Sequence, residues 1–292
     1  MSAKRVRVTE VDGGVVRERE DELAVEEPLE MRFETADGPS PIAVTMRTPG
    51  HDLELVAGFL LSEGVLRTPS DLVSLRHCVQ VPPDRRENTV TARLSLAAAL
   101  RVQARQFTVT SACGVCGVES LSALADRGTP AVRRTPVDPD LLLALPDRLR
   151  EGQRTFARTG GLHAAGLFAP DGELLVVRED VGRHNAVDKV VGWALQRSLL
   201  PLHGHVLMVS GRSSFELVQK AVTAGVGVLA GVSAPSSLAV DLARRFDLGL
   251  AGFVRGSRFV LYAGELSCGQ LAEGLVVGQG APRGELVDDT DG

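Results

Sequence analysis

From about residue 155 the chain alternates between short apolar runs and amphipathic stretches of helical length. HVLMVS (205–210), VGVLAGV (226–232) and LGLAGFV (248–254) have strand length, and SFELVQKAVTAG and SSLAVDLARRF lie between them. Strands joined through helices pair in parallel, and the crossover helices cover both faces of the sheet. The runs 206–209 and 226–232 are almost wholly apolar, as strands buried on both faces are. Upstream, GLHAAGLFAP and GELLVVRED read as a strand pair about Asp171-Gly172, followed by a helix, NAVDKVVGWALQRSL. A further helix over 138–151 opens at Asp138-Pro139, with proline in its first turn. The expectation for 138–265 is therefore a three-layer α/β core with a mostly parallel central sheet.

Residues 25–110 follow a different pattern. MRFETADGPSPIAVTMRT reads as a hairpin about Asp37-Gly38. Asp52 then caps a helix that Gly64 ends. Strands over 72–80 and 88–96 flank the polar turn PPDRREN. This predicts a smaller N-terminal α+β domain. Residues 1–24 mix charge with valine and read as a loose extension. Residues 111–137 form a cysteine-bearing loop and connection, and 266–292 form a C-terminal extension ending in acidic residues.

Hydrophobic residues make up 44% of 292, enough for a real core. A net charge of −5 and only 4% aromatics argue against a nucleic-acid partner, which calls for basic excess and stacking platforms. No run approaches 18 apolar residues and the N-terminus has no apolar signal core, so no membrane partner and a cytoplasmic location are expected.

Two of the four cysteines form Cys113-Gly-Val-Cys116. Such a pair can share a metal, cycle as a disulfide, or hand sulfur between its thiols. A structural zinc site wants four ligands, and neither Cys78, Cys268 nor the histidines supply a second pair, so no metal is expected. Gly114 and Gly117 bare the backbone and leave N–H groups to stabilise a thiolate. That favours an accessible, reactive thiol. Cys78 and Cys268 read as packing residues.

Four turns between the predicted elements are dense in polar groups: 178–185, 210–214, 233–237 and 252–258. Ligands of open α/β sheets sit at the carboxyl ends of strands, where helix N-termini offer free N–H groups to anions. Arg183, Arg212, Arg255 and Arg258 can add bidentate contacts to phosphate. Ser213 or Ser214 reads equally as a helix cap or a ligand group. His163, after Gly160-Gly161, reads equally as a site residue or a strand end. The zinc deaminase pattern H-x-E with P-C-x-x-C fails, because residue 165 is alanine and no proline precedes the cysteine pair.

TSACGVCGVESL, TGGLHAAGLF, REDVGRHNAVDKVVG, SGRSSFELVQKA and GFVRGSRFVLY together resemble the FdhD family, the formate dehydrogenase accessory sulfurtransferases. The likeness runs in order over about residues 20–265. It implies a cytidine-deaminase-like core and a homodimer. It implies a sulfur carrier that takes persulfide sulfur from a cysteine desulfurase. The sulfur then passes to the molybdenum bis(molybdopterin guanine dinucleotide) cofactor for the formate dehydrogenase catalytic subunit. On that reading Cys113 carries the persulfide and Cys116 assists. The segment Phe253, Val254, Arg255, Gly256, Ser257 and Arg258 matches the cofactor-binding stretch, and Arg183, Arg212 and Ser213 join it. Two other readings of the cysteine pair stay open: a dithiol oxidoreductase, and a non-enzymatic cofactor chaperone.

Overall fold

The computed structural model describes residues 2–79, 81–103 and 132–267. Cys113, Cys116 and Cys268 lie outside these.

Residues 3–24, expected to be loose, form a two-stranded antiparallel ribbon of β1 (Ala3–Asp12) and β2 (Val15–Ala24). Its turn is Gly13-Gly14, both at positive φ, the geometry of a tight two-residue hairpin. The diglycine was the signal, and the charged cross-strand partners hid it.

The next unit is a four-stranded sheet of order β4-β3-β6-β5, built from β3 (Glu27–Thr35), β4 (Gly38–Arg47), β5 (Leu72–His77) and β6 (Thr89–Leu94). Helix α1 (Asp52–Ser62) crosses between its strands and α2 (Leu96–Gln103) follows β6. Asp52 is not the cap of α1. His51 occupies that position in a left-handed conformation, φ 59°. Asp52 instead holds the buried Arg47 guanidinium through two 3.0 Å bonds. A charged fork five residues upstream is a stronger partner for the carboxylate than the helix end.

The larger sheet has the order β12-β11-β10-β9-β7-β8. Its strands are β7 (His163–Phe168), β8 (Leu174–Asp180), β9 (Val206–Val209), β10 (Val228–Gly231), β11 (Gly249–Arg255) and β12 (Arg258–Ala263). It is not mostly parallel. Only β9-β10 and β10-β11 pair in parallel, whereas β7-β8, β7-β9 and β11-β12 are antiparallel. The short connections make two hairpins, and α5 (Arg183–Gln196) returns the chain so that β9 runs opposite to β7. β8 and β9 run in the same direction with β7 inserted between them, so α5 crosses over one strand, whereas α6 (Phe215–Thr223) and α7 (Ser237–Arg245) join strands that are parallel neighbours.

Strand residues alternate between two apolar layers with period two. Leu207, Val209, Leu229 and Leu250 face a cluster containing Val187, Val191, Leu217 and Leu242 from the helices. Met208, Val228, Ala230 and Val254 face α3 (Pro139–Gly152), which the single-turn α4 (Phe156–Thr159) follows, through Leu142, Leu145 and Leu149. Asp138 caps α3, accepting from the amides of Asp140 and Leu141. The first cluster continues into Leu29, Phe33, Leu55 and Leu60, so both sheets share one core.

The seam between the two units is α1 against α5. A Cβ on Gly58 would fall 1.9 Å from the Asp188 carbonyl oxygen, and one on Gly192 would fall 1.8 Å from that of Glu54. The helices touch backbone to backbone, and no side chain larger than hydrogen fits either position.

Candidate functional site

The strand directions bring the polar turns together. The carboxyl ends of β8, β9, β10 and β11 all emerge at one edge of the larger sheet, with the amino ends of β7 and β12. His163, the 180–185, 210–214 and 233–237 turns and the Arg255–Arg258 hairpin therefore share that edge. Helices α5, α6 and α7 start there, and their first turns present backbone N–H groups and a positive dipole end.

Direct contacts link neighbouring turns. His184 Nε2 lies 3.4 Å from Ser214 Oγ and 3.5 Å from Glu216 Oε2. The Ser213 amide donates to Ala234 O, and the Ser236 amide donates to Ser213 O. The Phe253 amide donates to Ser233 O at 3.2 Å. That bond holds Phe253 at φ 53°, a left-handed conformation costly for an aromatic residue, beside the register shift where β11 bulges against β12. Arg255 and Arg258 then face one another across the exposed Gly256-Ser257 turn, with Gly256 at φ 57°.

Not every expected site residue reaches the edge surface. Val254 is fully buried in the layer under α3 and anchors the hairpin. Ser213 is also fully buried, and its hydroxyl has no hydrogen-bond partner among the described residues. Ser214 holds the start of α6 without a side-chain cap bond, whereas Ser236 does cap α7, accepting from the Ala239 amide. Arg212 is exposed. Arg183 is half-buried, and its Nε has no partner among the described residues. At about 4.8 Å per strand, Arg183 and Arg255 stand four strands and so about 19 Å apart. No single phosphate can touch both, but an elongated ligand with several phosphates can.

The 180–185 turn has a buried frame. Asp180 accepts from the Gly182 amide at 2.8 Å, Asn185 Nδ2 at 3.0 Å and the Thr48 amide at 3.2 Å, and meets Lys189 Nζ at 2.7 Å. Asn185 Nδ2 also donates to Met46 O at 2.7 Å, and Lys189 Nζ to Thr48 O at 2.9 Å. The smaller unit thereby grips the turn that carries Arg183 and His184. Sequence reasoning left Asp180, Lys189, His184 and Glu216 out of the site. For the first two no sequence signal existed, because their roles depend on contact with residues more than 130 positions away.

Burial and the nearby Arg183 charge push the His163 imidazole below its ordinary value, so it stays neutral near pH 7. The His184 hydrogen bond pulls the Glu216 carboxyl down to about 2. His163 lines a cavity of about 610 Å³ together with Arg150, Gln153, Phe156, Gly161 and Ser210. No group of three or more metal-ligating side chains occurs among the described residues, and no helix there is long and apolar enough to cross a membrane. Cys78 is buried, as a packing residue should be.

The sequence model of the FdhD/NarQ family matches residues 24–267. A Streptomyces coelicolor protein named sulfur carrier protein FdhD is 51% identical over 284 residues, covering 95% of this chain and 98% of its own. A protein of the same name from Sulfurisphaera tokodaii is 43% identical, covering 90% and 97%. Among solved structures, a chain from Desulfotalea psychrophila described as a formate dehydrogenase accessory protein superposes with a TM-score of 0.70. It is 21% identical and covers 90% of this chain and 98% of its own, a likeness of fold.

Proposed function

The chain belongs to the FdhD/NarQ family, and from that premise we propose that it is a sulfur carrier serving formate dehydrogenase, with the larger sheet's polar edge as its cofactor-holding surface. The observation that carries this reading is the convergence at one edge of Arg183, Arg212, Arg255 and Arg258 with three helix N-termini. Two of the edge's buried polar atoms, Arg183 Nε and Ser213 Oγ, have no partner among the described residues. A buried donor without an acceptor is costly, and a ligand oxygen would remove the cost at Arg183. An elongated anion with two guanine nucleotides, the molybdenum bis(molybdopterin guanine dinucleotide) substrate, has the charge and length this edge accommodates. The deaminase-like relation of the core is part of the same reading.

Sulfur would arrive at Cys113. Its thiolate attacks the outer sulfur of a desulfurase persulfide, one S–S bond forms as another breaks, and the desulfurase cysteine leaves as a thiolate. That exchange needs no external electrons. Delivery of sulfide needs two electrons. Cys116 can supply them by attacking the inner sulfur of the persulfide, which forms the Cys113–Cys116 disulfide and releases hydrosulfide. A cellular thiol then reduces the disulfide.

The test is mass spectrometry of the chain after incubation with a cysteine desulfurase and cysteine, followed by a formate dehydrogenase activation assay. A gain of one sulfur on Cys113, lost in Cys113→Ala along with activation, is the expected result. Full activation by Cys113→Ala would leave a non-enzymatic cofactor chaperone. A requirement for both cysteines without any sulfur gain would favour a dithiol oxidoreductase.

A further inference from the structure

The β1–β2 ribbon lies almost wholly before the family match, which begins at residue 24. It touches the rest of the chain near its base, where Arg158 meets Glu22 at 2.6 Å and the Val25 amide donates to Ser2 O. Its tip is bare: Val11, Val15 and Val16 are 68%, 64% and 66% exposed. A two-stranded ribbon alone is marginally stable in water, and this one carries ten cross-strand pairs.

Among the described residues nothing pairs with the outer edge of β1. Asp12 and Val15 face each other across the two-residue turn, which makes them a hydrogen-bonded pair. Even-numbered residues of β1 therefore turn their backbone groups toward β2. Arg5, Arg7, Thr9 and Val11 turn theirs outward.

Charged side chains on an edge strand ordinarily block pairing. Here their order leaves one pairing open. The strand reads Ala3-Lys4-Arg5-Val6-Arg7-Val8-Thr9-Glu10-Val11-Asp12, basic in its first half and acidic in its second. Set antiparallel against itself about an axis normal to the sheet, the register centred on Val8 places Lys4 of each copy opposite Asp12 of the other. It opposes no like charges and sets Val8 against Val8. The register centred on Arg7 opposes two arginines, the one centred on Glu10 opposes two glutamates, and the one centred on Thr9 leaves Lys4 without a partner. The outward backbone groups of Arg5, Arg7, Thr9 and Val11 become the new ladder.

We propose that the outer edge of β1 is an interface for a second copy of this chain, joined through Val8 into a four-stranded sheet of order β2-β1-β1-β2. Unlike pairs across strands stabilise and like pairs destabilise, so the charge order selects both the partner and the register.

The test is residue-specific cross-linking of the full chain. In this register Val8 is a non-hydrogen-bonded pair, the closer of the two antiparallel spacings. Val8→Cys should form a disulfide between the two copies under mild oxidation, identified by mass spectrometry as the β1 peptide linked to itself. Val6→Cys and Val16→Cys serve as controls elsewhere on the ribbon and should link much more slowly. Adding Lys4→Asp to Val8→Cys should cut the linked fraction roughly fivefold or more, and adding Asp12→Lys as well should restore it. Equal linking at all three positions, or linking indifferent to the charge changes, overturns the proposal. A ribbon that serves a different protein, or none, gives that second result. The reading involves no sulfur transfer, so it stands or falls separately from the carrier function.

Discussion

Lys189 and Asp180 meet at 2.7 Å with both side chains shut off from solvent, and the pair sits beneath the turn that presents Arg183. Removing one partner leaves an uncompensated buried charge, which costs about 3–5 kcal/mol. Lys189→Met should lower the denaturation midpoint accordingly. Asp180→Asn likewise leaves the Lys189 ammonium without its counter-charge and turns an amide NH2 towards other donors, so it should cost comparable stability and weaken anion binding through the displaced turn. Chemical denaturation alongside calorimetric titration with guanosine diphosphate separates the two effects.

Replacing glycine by alanine inside an exposed helix stabilises by about 1 kcal/mol. At Gly58 and Gly192 the sign should reverse. The new methyl group would occupy a carbonyl oxygen's place, and overpacking costs about 1–3 kcal/mol or more. Thermal unfolding of Gly58→Ala and Gly192→Ala checks this. Stabilisation of either variant would show that α1 and α5 are not in backbone contact.

At the hairpin of β11 and β12, Arg255→Ala should weaken binding of guanosine diphosphate by about 1.5–3 kcal/mol, the range for a hydrogen bond to a charged group. Arg255→Lys should restore only part of it, since a point charge cannot replace a planar fork. Affinity should fall as salt is added, because these arginines are exposed. Sulfur loading of Cys113 should be unaffected by either variant.

The Glu216 carboxyl, held down to about 2 beside His184, should titrate near its ordinary value of 4.5 in His184→Gln. A depressed carboxylate contributes stability above its ordinary value and loses it as pH falls through the folded one. Its contribution is therefore fully present above about pH 4.5 and is lost as pH falls towards about 2. Carbon-detected NMR titration of the two proteins measures both points.

Much of the larger unit was legible because periodicity and punctuation agree there. Asp138-Pro139 opened α3, Asp171-Gly172 turned β7 into β8, and the serine-rich turns marked the starts of α6 and α7. Strand order was not legible, and with it which neighbours pair antiparallel. A helix between β8 and β9 looks in sequence like the helices that follow β9 and β10, yet β9 lands beside β7 and antiparallel to it. The arginines of the edge were visible as types in turns. The frame beneath them was not, since Asn185 depends on Met46 and Lys189 on Thr48. Asp52 failed as a cap for the same reason: Arg47 reaches it in space.

The crossing of α1 and α5 has a mechanical consequence. Packed helices slide past one another by repacking the side chains between them, and at Gly58 and Gly192 there is no such layer to repack. The 46–52 segment and the 180–185 turn are thus locked as one rigid block. An anion bound at Arg183, as proposed, would meet a seat whose shape was settled when the chain folded, with little ordering entropy left to lose.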